Sequence, residues 1–286
     1  MFSKKLSIPM ALLMGVALVI VLFPVFWIVM TAIKPPIDWN ASPAIWVPSD
    51  PTFINFQTLF DPDAMRAYGV GCVSQAATKA VFGSVFASVI ATVLSVVIGL
   101  FSAIGISRYG NGSKATPLII LSGRMFPPAA IAVPFVIMFS YVGLIDSYIG
   151  LIAIYVAVTL PFSTWMLKSF VEDIPREIEE AAMIDGRSRF MAHLAVTIPL
   201  MRGGLFATTM FIFILNWSEF MFALVLSYTN VITIPVQLAK YVTATAGTLY
   251  GVQTALAVLA MAPLVLVGYF IQSHLARGMT FGAIKQ

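Results

Sequence analysis

The sequence is poor in the residues on which many soluble proteins and enzymes depend. Charged residues make up 10% of its 286 positions, where about 25% is usual in soluble domains, while 60% are hydrophobic. The single cysteine, Cys72, excludes an internal disulfide framework and a multi-cysteine metal site. The two histidines, His193 and His274, do not form a zinc site by themselves. A net charge of +4, spread thinly along the chain, does not favour nucleic-acid binding.

Motifs for independent catalysis are absent too. No G-x-x-x-x-G-K-[ST] occurs, and Gly110–Lys114 has the right residue types at the wrong spacing, so a P-loop is excluded. H-E-x-x-H is also absent, and neither histidine lies near a cysteine or paired carboxylates in the sequence. We therefore expect a non-catalytic chain with no metal or cofactor of its own.

Long apolar runs are what the sequence does contain. A helix needs about 20 apolar residues to cross the hydrocarbon layer. The first run exceeds a signal-peptide core and has no good A-x-A cleavage site, which predicts an anchor helix. The pattern predicts an all-α integral membrane protein, a single domain over 1–286 with six transmembrane helices. Their ranges are 10–33, 80–106, 117–139, 149–170, 204–226 and 251–273.

The basic residues predict the orientation of these spans, because cytoplasmic segments carry an excess of Lys and Arg. With both termini cytoplasmic, the inside segments hold Lys4, Lys5, Arg108, Lys114, Lys168, Arg176, Arg187, Arg189, Arg202, Arg277 and Lys285. The outside segments then hold only Lys34, Arg66, Lys79 and Lys240. We therefore predict that the N- and C-termini are both cytoplasmic.

Prolines mark one long loop and several spans. The outside loop 34–79 is rich in proline and contains Trp39 and Trp46, which predicts an ordered loop ending in a short interfacial helix. Its role stays open between a membrane-surface cap and a face for a partner. Prolines within spans can bend helices around a pathway, or can be ordinary features of membrane helices. They are Pro24, Pro127, Pro128, Pro134, Pro161 and Pro263.

The segment 171–203, predicted to be cytoplasmic, has a helix–bend–helix pattern. Pro175 suits a first helical turn, and Glu177, Glu179 and Glu180 suit the positive end of a helix dipole. Gly186 permits a left-handed exit, and Ser188 can cap the next helix. An acidic helix is repelled by the anionic inner leaflet, so docking into a protein groove is favoured over an interfacial anchor.

The same segment resembles a known family signature. From Glu180 to Pro199 the chain reads E-A-A, three residues, Gly, nine residues, then V-x-I-P, and resembles the EAA motif of ABC importer permeases, with Val196 and Ile198 as conservative departures. Three further passages resemble the MalG-like carbohydrate branch of that family. They are M-F-P-P at 125–128, N-W-S-E-F-M-F-A-L-V-L at 216–226 and R-G-M-T-F-G-A-I-K-Q at 277–286.

The resemblance implies an ABC importer permease fold, in a bacterial inner membrane, with several partners. These are a second permease subunit, two copies of a cytoplasmic ATPase that binds ATP and Mg²⁺, and an extracytoplasmic solute-binding protein. The helix at about 177–186 would be the coupling helix in a cleft of the ATPase, and the tail 277–286 a second contact. Its coupling residues would be Glu177, Glu179, Glu180, Ala181, Ala182, Asp185, Gly186, Arg187 and Arg189.

Polar residues within the spans are candidates for a solute pathway. Arg124 either reaches the cytoplasmic edge of the membrane or faces a cavity, and Glu219 either pairs with Arg124 or the partner permease, or contacts the solute. Aromatic, hydroxyl and amide side chains can bind a sugar, although each can equally serve helix packing. They are Tyr155, Thr159, Ser163, Thr164, Trp165, Asn216 and Trp217.

Two other functional classes are weighed against this one. A proton- or sodium-coupled secondary transporter ordinarily shows inverted repeats and intramembrane acids, whereas Glu219 is the one clear acid here and no repeat is evident. No feature speaks for a structural membrane adaptor. Within the importer class the solute stays open between a mono- or disaccharide, a polyol, glycerol phosphate and a sulfonated sugar.

Overall fold

The computed structural model describes residues 8–64, 66, 77–110, 120, 122, 127–243 and 247–282, with the backbone alone for 271–282. Besides the helices there are a 3₁₀ turn at Pro36–Asp38, a π-helical turn at His193–Thr197 and an antiparallel ribbon of β1 (Val242–Thr243) and β2 (Gly247–Thr248). The α-helices are α1 (Ile8–Ala32), α2 (Ile54–Thr58), α3 (Thr78–Tyr109), α4 (Pro128–Tyr141), α5 (Tyr148–Glu172), α6 (Arg176–Ile184), α7 (Arg189–Ala192), α8 (Ile198–Leu200), α9 (Arg202–Trp217), α10 (Met221–Leu226), α11 (Ile234–Lys240) and α12 (Tyr250–Gly282).

The predicted spans correspond to apolar helices in the described part of the chain. Four are long and apolar enough to cross a membrane: α1, α3, α5 and the Tyr250–Phe270 part of α12. A fifth candidate is the pair Arg189–Leu200 and Arg202–Trp217, which is bent by 76°. The third predicted span, 117–139, is described mainly by α4, and most of 117–126 lies outside the described residues. The helical class is confirmed, and the count of six stays a prediction.

The predicted span 204–226 is not one continuous helix, which corrects that range. Helix α9 ends at Trp217, and α10 begins at Met221. The backbone N–H of Ser218 bonds to the carbonyl of Ile214, and a carboxylate oxygen of Glu219 accepts the N–H of Phe222 at 3.1 Å. The side chain of Glu219 therefore satisfies a backbone donor that the interruption frees, which permits a break within an apolar run.

The chain divides into two compact units, and the first comprises Met1–Thr78 and Gln237–Ala262. In it, the side-chain amide of Asn55 donates to the carbonyls of Ala32 and Lys34 at 2.9 and 2.8 Å, which ties α2 to the end of α1. The ammonium of Lys34 lies 4.1 Å above the ring of Trp27. Burial lowers the pKa of Lys34, against an opposing effect of Asp38. The loop contains the short helix α2 near its middle. The predicted interfacial helix at the end of the loop stays a prediction, because residues 65 and 67–76 lie outside the described part.

The second unit comprises Lys79–Val236 and Pro263–Gln286. Its core joins one face of α3 to α5, α9 and α10, and Leu151, Ile154, Leu167, Ile212 and Phe222 are fully or almost fully buried there. Small side chains on α3 allow the helices to approach closely, as in other membrane helix interfaces. The buried small residues of α3 include Gly83, Ala87, Ala91, Ser95, Gly99 and Ala103.

The opposite face of α3 and nearly all of α1 expose large apolar side chains. Examples are Leu13 and Val19 on α1 at 69% and 67% exposure, and Phe82 on α3 at 59%. Water does not solvate such surfaces favourably, whereas lipid does. With 25 residues, α1 is about 37 Å long at 1.5 Å per residue, enough to cross the hydrocarbon layer.

Candidate coupling and solute-pathway sites

The segment that carries the EAA motif is a helix, a bend and a second helix, as predicted. Pro175 is the N-cap of α6, and Glu177 and Glu179 stand in its first turn. Gly186 has φ +90°, the left-handed backbone that a glycine adopts without a Cβ penalty. Ser188 caps α7 by accepting the N–H of Met191 at 3.3 Å. Local sequence therefore determines the shape of this loop.

One face of α6 is turned away from the rest of the chain. Ile178 is 43% exposed and Ile184 is 87% exposed, so the face combines apolar and acidic groups. Of the residues predicted to couple to an ATPase, those that are exposed are Glu177, Glu180, Ala181, Asp185, Gly186, Arg187 and Arg189. This face offers a partner the apolar anchors and charges that a helix presents to a groove.

The other face of α6 is buried through Glu179 and Ala182. Arg108, in the last turn of α3, donates from Nε to both carboxylate oxygens of Glu179 at 2.9 and 3.0 Å. Both side chains are only 7% exposed. The Nη2 of Arg108 donates to the carbonyls of Val171 and Ile174 at 2.9 and 2.8 Å. The carboxylate of Glu179 is thus bound within its own chain, on the side of α6 opposite the exposed face.

The turn that follows α7 completes this buried cluster. Thr197 donates its hydroxyl to Glu179 Oε1 at 2.7 Å, and His193 Nδ1 lies 3.3 Å from that hydroxyl and 3.7 Å from Glu179 Oε2. The hydroxyl of Tyr109 lies 2.9 Å from His193 Nε2. Because Thr197 donates to the carboxylate, its oxygen accepts from Nδ1–H of His193. A cavity of about 190 Å³ lies beside the cluster.

Sequence patterns do not reveal this cluster in advance. From the sequence alone, Arg108 is only one of the basic residues that predict the orientation in the membrane. His193 is only one of two histidines, which are too few to form a zinc site by themselves. Thr197 occupies the unspecified position of V-x-I-P. One usable signal is the spacing of Glu179 and Ala182, three positions apart on one helix face. The partner Arg108 lies 71 positions away, so only the fold brings the pair together.

Most of the predicted pathway residues lie between helices in the second unit. Thr159 donates its hydroxyl to the carbonyl of Tyr155 and bonds Ser95 of α3 at 2.8 Å. The side-chain amide of Asn216 donates to the hydroxyl of Thr92, also on α3, at 3.1 Å. Such bonds join α5 and α9 to α3, as polar side chains do between membrane helices. Ser163, Thr164 and Trp217 are buried as well.

Three further predicted pathway residues, Tyr155, Glu219 and Trp165, differ in how far they are buried. Tyr155 is buried and donates its hydroxyl to the backbone carbonyl of Glu219 at 3.3 Å. Glu219 is half-buried at the break between α9 and α10, and Trp165 is 48% exposed. Arg124 lies outside the described residues, as do the last four residues of the predicted tail contact 277–286. Glu219 is therefore a predicted pathway residue that lies at an interruption between two helices.

Long apolar helices, a broken span and a charged helix–bend–helix loop define a multi-pass membrane permease. The sequence model of the family described as "Binding-protein-dependent transport system inner membrane component" matches residues 95–281. This chain belongs to that family, and it is a permease subunit of an ABC importer. Members of the family are non-catalytic membrane subunits, which agrees with the absence of catalytic motifs from the sequence.

Individual relatives extend the similarity over most of the chain. The diacetylchitobiose uptake system permease protein DasC of Streptomyces coelicolor is 29% identical over 265 residues, covering 92% of this chain and 91% of its own. The trehalose/maltose transport system permease protein MalG of Thermococcus litoralis is 32% identical over 190 residues, covering 66% of this chain and 68% of its own. The predicted family is confirmed.

A solved structure supports the fold. A chain in the crystal structure of a bacterial ABC transporter, involved in the import of the acidic polysaccharide alginate, matches with a TM-score of 0.73 and 20% identity. The match covers 92% of this chain and 94% of that chain. The predicted ABC importer permease fold is thereby confirmed.

Proposed function

We propose that this chain forms half of the translocation pathway for a sugar or sugar-like solute in an ATP-driven importer. Support comes from the relatives, whose names refer to diacetylchitobiose and to trehalose and maltose, and from the importer of alginate with a similar fold. The motifs N-W-S-E-F and M-F-P-P point to the same branch. The solute class is a carbohydrate or a close analogue such as a polyol, a glycerol phosphate or a sulfonated sugar.

The complex in this proposal has four kinds of component. This chain pairs with a second, different permease in the inner membrane of a bacterium, with both termini cytoplasmic. Two copies of an ATPase bind ATP and Mg²⁺ on the cytoplasmic side, and a solute-binding protein delivers the solute from outside. The C-terminal segment 277–286 is a second ATPase contact, in addition to α6. Closure of the ATPase pair moves α6 and changes the side to which the pathway opens.

The observation that carries the proposal is the two-sided character of α6. Its inner face is bound to α3 through Glu179 and Arg108, while its outer face exposes Glu180 and the apolar Ile178 and Ile184. A short helix with exposed apolar side chains beside acidic ones suits a protein groove. A push on the outer face is carried inward because the helix is internally bonded and held on its other side.

The solute pathway in this proposal passes the break between α9 and α10. Interrupted helices in transporters expose backbone and polar groups where solutes bind. Glu219 offers a carboxylate at the break, and Trp165 offers an exposed aromatic face ten residues along α5 from Tyr155, the residue that contacts Glu219. The remaining predicted residues, Arg124 included, stay candidates for solute contact or for positioning these two.

Charge reversal on the outer face of α6 tests the coupling role. We expect Glu180→Lys to weaken ATPase co-purification about tenfold or more, because it places a cation where the partner is arranged for an anion. Gly186→Asp should have a similar effect, since φ +90° is strained for residues with a Cβ and the bend would shift. The measurement is the amount of ATPase retained by the detergent-solubilised permease pair.

The matched control is Asp50→Lys, the same charge change at an exposed residue of the predicted outside loop. This variant should retain the ATPase as the unmodified protein does. Full ATPase association in both Glu180→Lys and Gly186→Asp would contradict the coupling role of α6.

The solute is best identified through the binding protein. We expect a ligand screen on the paired binding protein to select a carbohydrate or analogue, and the same compound to enter proteoliposomes only with ATP, both permeases and the ATPase. Uptake driven by this chain alone, without ATP, would contradict the importer proposal.

A further inference from the structure

The buried cluster around Glu179 has a feature that docking does not require. Its members come from four parts of the second unit: Arg108 from the end of α3, the carbonyl of Val171 from α5, Glu179 from α6 and Thr197 from the turn that leads into α8 and α9. A second bond also joins α6 to α3: Arg176 of α6 donates from Nη2 to the carbonyl of Ser107 of α3 at 2.7 Å. The helix that faces the partner is thus bonded to the end of α3 and to the turn before α8 and α9, and Arg108 also bonds the end of α5.

We propose that Glu179 and Thr197 are positioning residues that transmit displacement of α6 to α3 and α9 during transport. This inference rests on the proposed coupling role of α6 and adds a path for the movement. The carboxylate of Glu179 is the common acceptor for Arg108 on α3 and for Thr197 before α9. A displacement of α6 therefore acts on both helices through one side chain, besides acting through the covalent chain.

The energetics support transmission over simple stabilisation. Burial of an ion pair removes both charges from water, and their attraction offsets that cost only when the geometry is excellent. The pair therefore adds little net stability to the fold. Removal of one partner is nevertheless strongly destabilising, because it leaves the other charge buried and unpaired. The Arg108–Glu179 pair has that geometry, with two bonds of 2.9 and 3.0 Å and a third donor on the carboxylate. Such a pair resists separation, which is the property that a mechanical link needs.

The turn at His193–Thr197 shows where the movement goes. It is π-helical, a rare geometry often found at functional positions, and it lies within the segment Arg189–Leu200, which meets α9 (Arg202–Trp217) at a bend of 76°. His193 lies between Tyr109 of α3 and Thr197, at 2.9 and 3.3 Å. The segment that leads into α9 is thereby connected by side chains to α3 as well as to α6.

The test removes the hydroxyl of Thr197, and with it the bonds to Glu179 and His193, without removing a charge. Thr197→Val keeps the shape of the side chain and leaves the Arg108–Glu179 pair intact, whereas Thr197→Ser keeps the hydroxyl. The measured quantity is the number of solute molecules imported per ATP hydrolysed, by the complete complex in proteoliposomes. We expect this ratio to fall about three- to tenfold in Thr197→Val, the range for losing the bond to Glu179, and Thr197→Ser to restore it.

The matched control is Thr208→Val in α9. The hydroxyl of Thr208 is buried and has no hydrogen-bond partner among the described residues, so the same replacement breaks no bond there. Thr208→Val should leave the ratio unchanged. An equal fall in Thr208→Val and Thr197→Val, or no fall in Thr197→Val, would overturn the inference.

A second readout separates this inference from the proposed function. Because Thr197 does not lie on the outer face of α6, Thr197→Val should retain the ATPase in full while amide exchange in 176–186 becomes faster. Loss of the ATPase in Thr197→Val, or unchanged exchange in α6, would overturn the positioning role. Failure of the coupling proposal would give a different result: Glu180→Lys would then retain the ATPase.

Discussion

Asp146 shows how much one carboxylate can organise. Its backbone has φ 54°, uncommon outside glycine, and its side chain accepts the backbone N–H groups of Tyr228, Thr229, Asn230 and Val231 at 2.9 to 3.2 Å. The hydroxyl of Thr229 donates to it as well. Partial burial raises the pKa of Asp146, but the four backbone donors lower it more, so the pKa lies well below its ordinary value.

Replacing this carboxylate should loosen the segment that it holds. In Asp146→Asn the side chain keeps one oxygen acceptor and loses its charge, so we expect faster amide exchange at 228–231, measured by hydrogen-exchange mass spectrometry at pH 7. A lowered folded-state pKa gives stability that is present above the unfolded pKa of about 3.9 and is lost as pH falls through the folded value. The ratio of the exchange rates of the two proteins at 228–231, compared at the same pH, should therefore be constant from pH 6 to 8. Asp50→Asn, at an exposed position, is the control, and equal exchange in both variants would contradict the role of Asp146.

Individual residues also show the limit of sequence reasoning. Gly186 and Ser188 have the predicted left-handed bend and helix cap, because each acts through its own neighbours. Glu179 and Glu180 are adjacent and chemically identical, yet the first is buried and the second is exposed. Their difference depends on Arg108, which approaches from another helix. Local patterns predict local geometry, and a partner 71 positions away is outside their reach.

Helix packing in α9 offers a paired test at the scale of elements. Gly204 is buried, and a Cβ added there would overlap the ring of Phe170 on α5, whereas Gly203, its neighbour, has open space. Close helix contacts in membranes depend on such small residues. We expect Gly204→Ala to lower the thermal unfolding midpoint of the purified complex by several degrees, as overpacking typically costs about 1–3 kcal/mol.

Gly203→Ala is the natural control for that measurement. It lies in the same helix and faces open space, so the replacement should be neutral or slightly stabilising through helix propensity. A midpoint that falls equally in both variants would show that packing of α9 on Phe170 is not the cause.

Elements were predictable to different degrees for physical reasons. Apolar length alone locates α1, α3 and α5, because each run has the length that a bilayer requires. The same criterion places one span at 204–226 and misses the interruption, since the runs 204–215 and 220–226 are both mostly apolar. What permits the break is the bond from Phe222 N–H to the carboxylate of Glu219, and hydropathy does not report it.

At the scale of the whole molecule, orientation in the membrane is the prediction with the widest consequences. The excess of Lys and Arg predicts that both termini and α6 are on the cytoplasmic side and that the loop 34–79 is outside. The coupling role of α6 requires this orientation, because ATP is available only in the cytoplasm. Family membership identifies an inner-membrane component and does not by itself orient the chain.

Two isoleucines give a matched test of that orientation. Ile37, in the predicted outside loop, is 84% exposed and Ile184, in α6, is 87% exposed, so cysteines at these positions should react equally well where reagent is present. In a Cys72→Ser background, we expect a membrane-impermeant maleimide applied outside the inner membrane to label Ile37→Cys in intact spheroplasts. In cells that lack the ATPase, which would cover this residue, Ile184→Cys should be labelled only after permeabilisation, and that labelling also shows that the cysteine is reactive. The reverse pattern would place α6 outside, where no ATP-driven subunit can reach it, and would exclude both the coupling role and the link through Glu179.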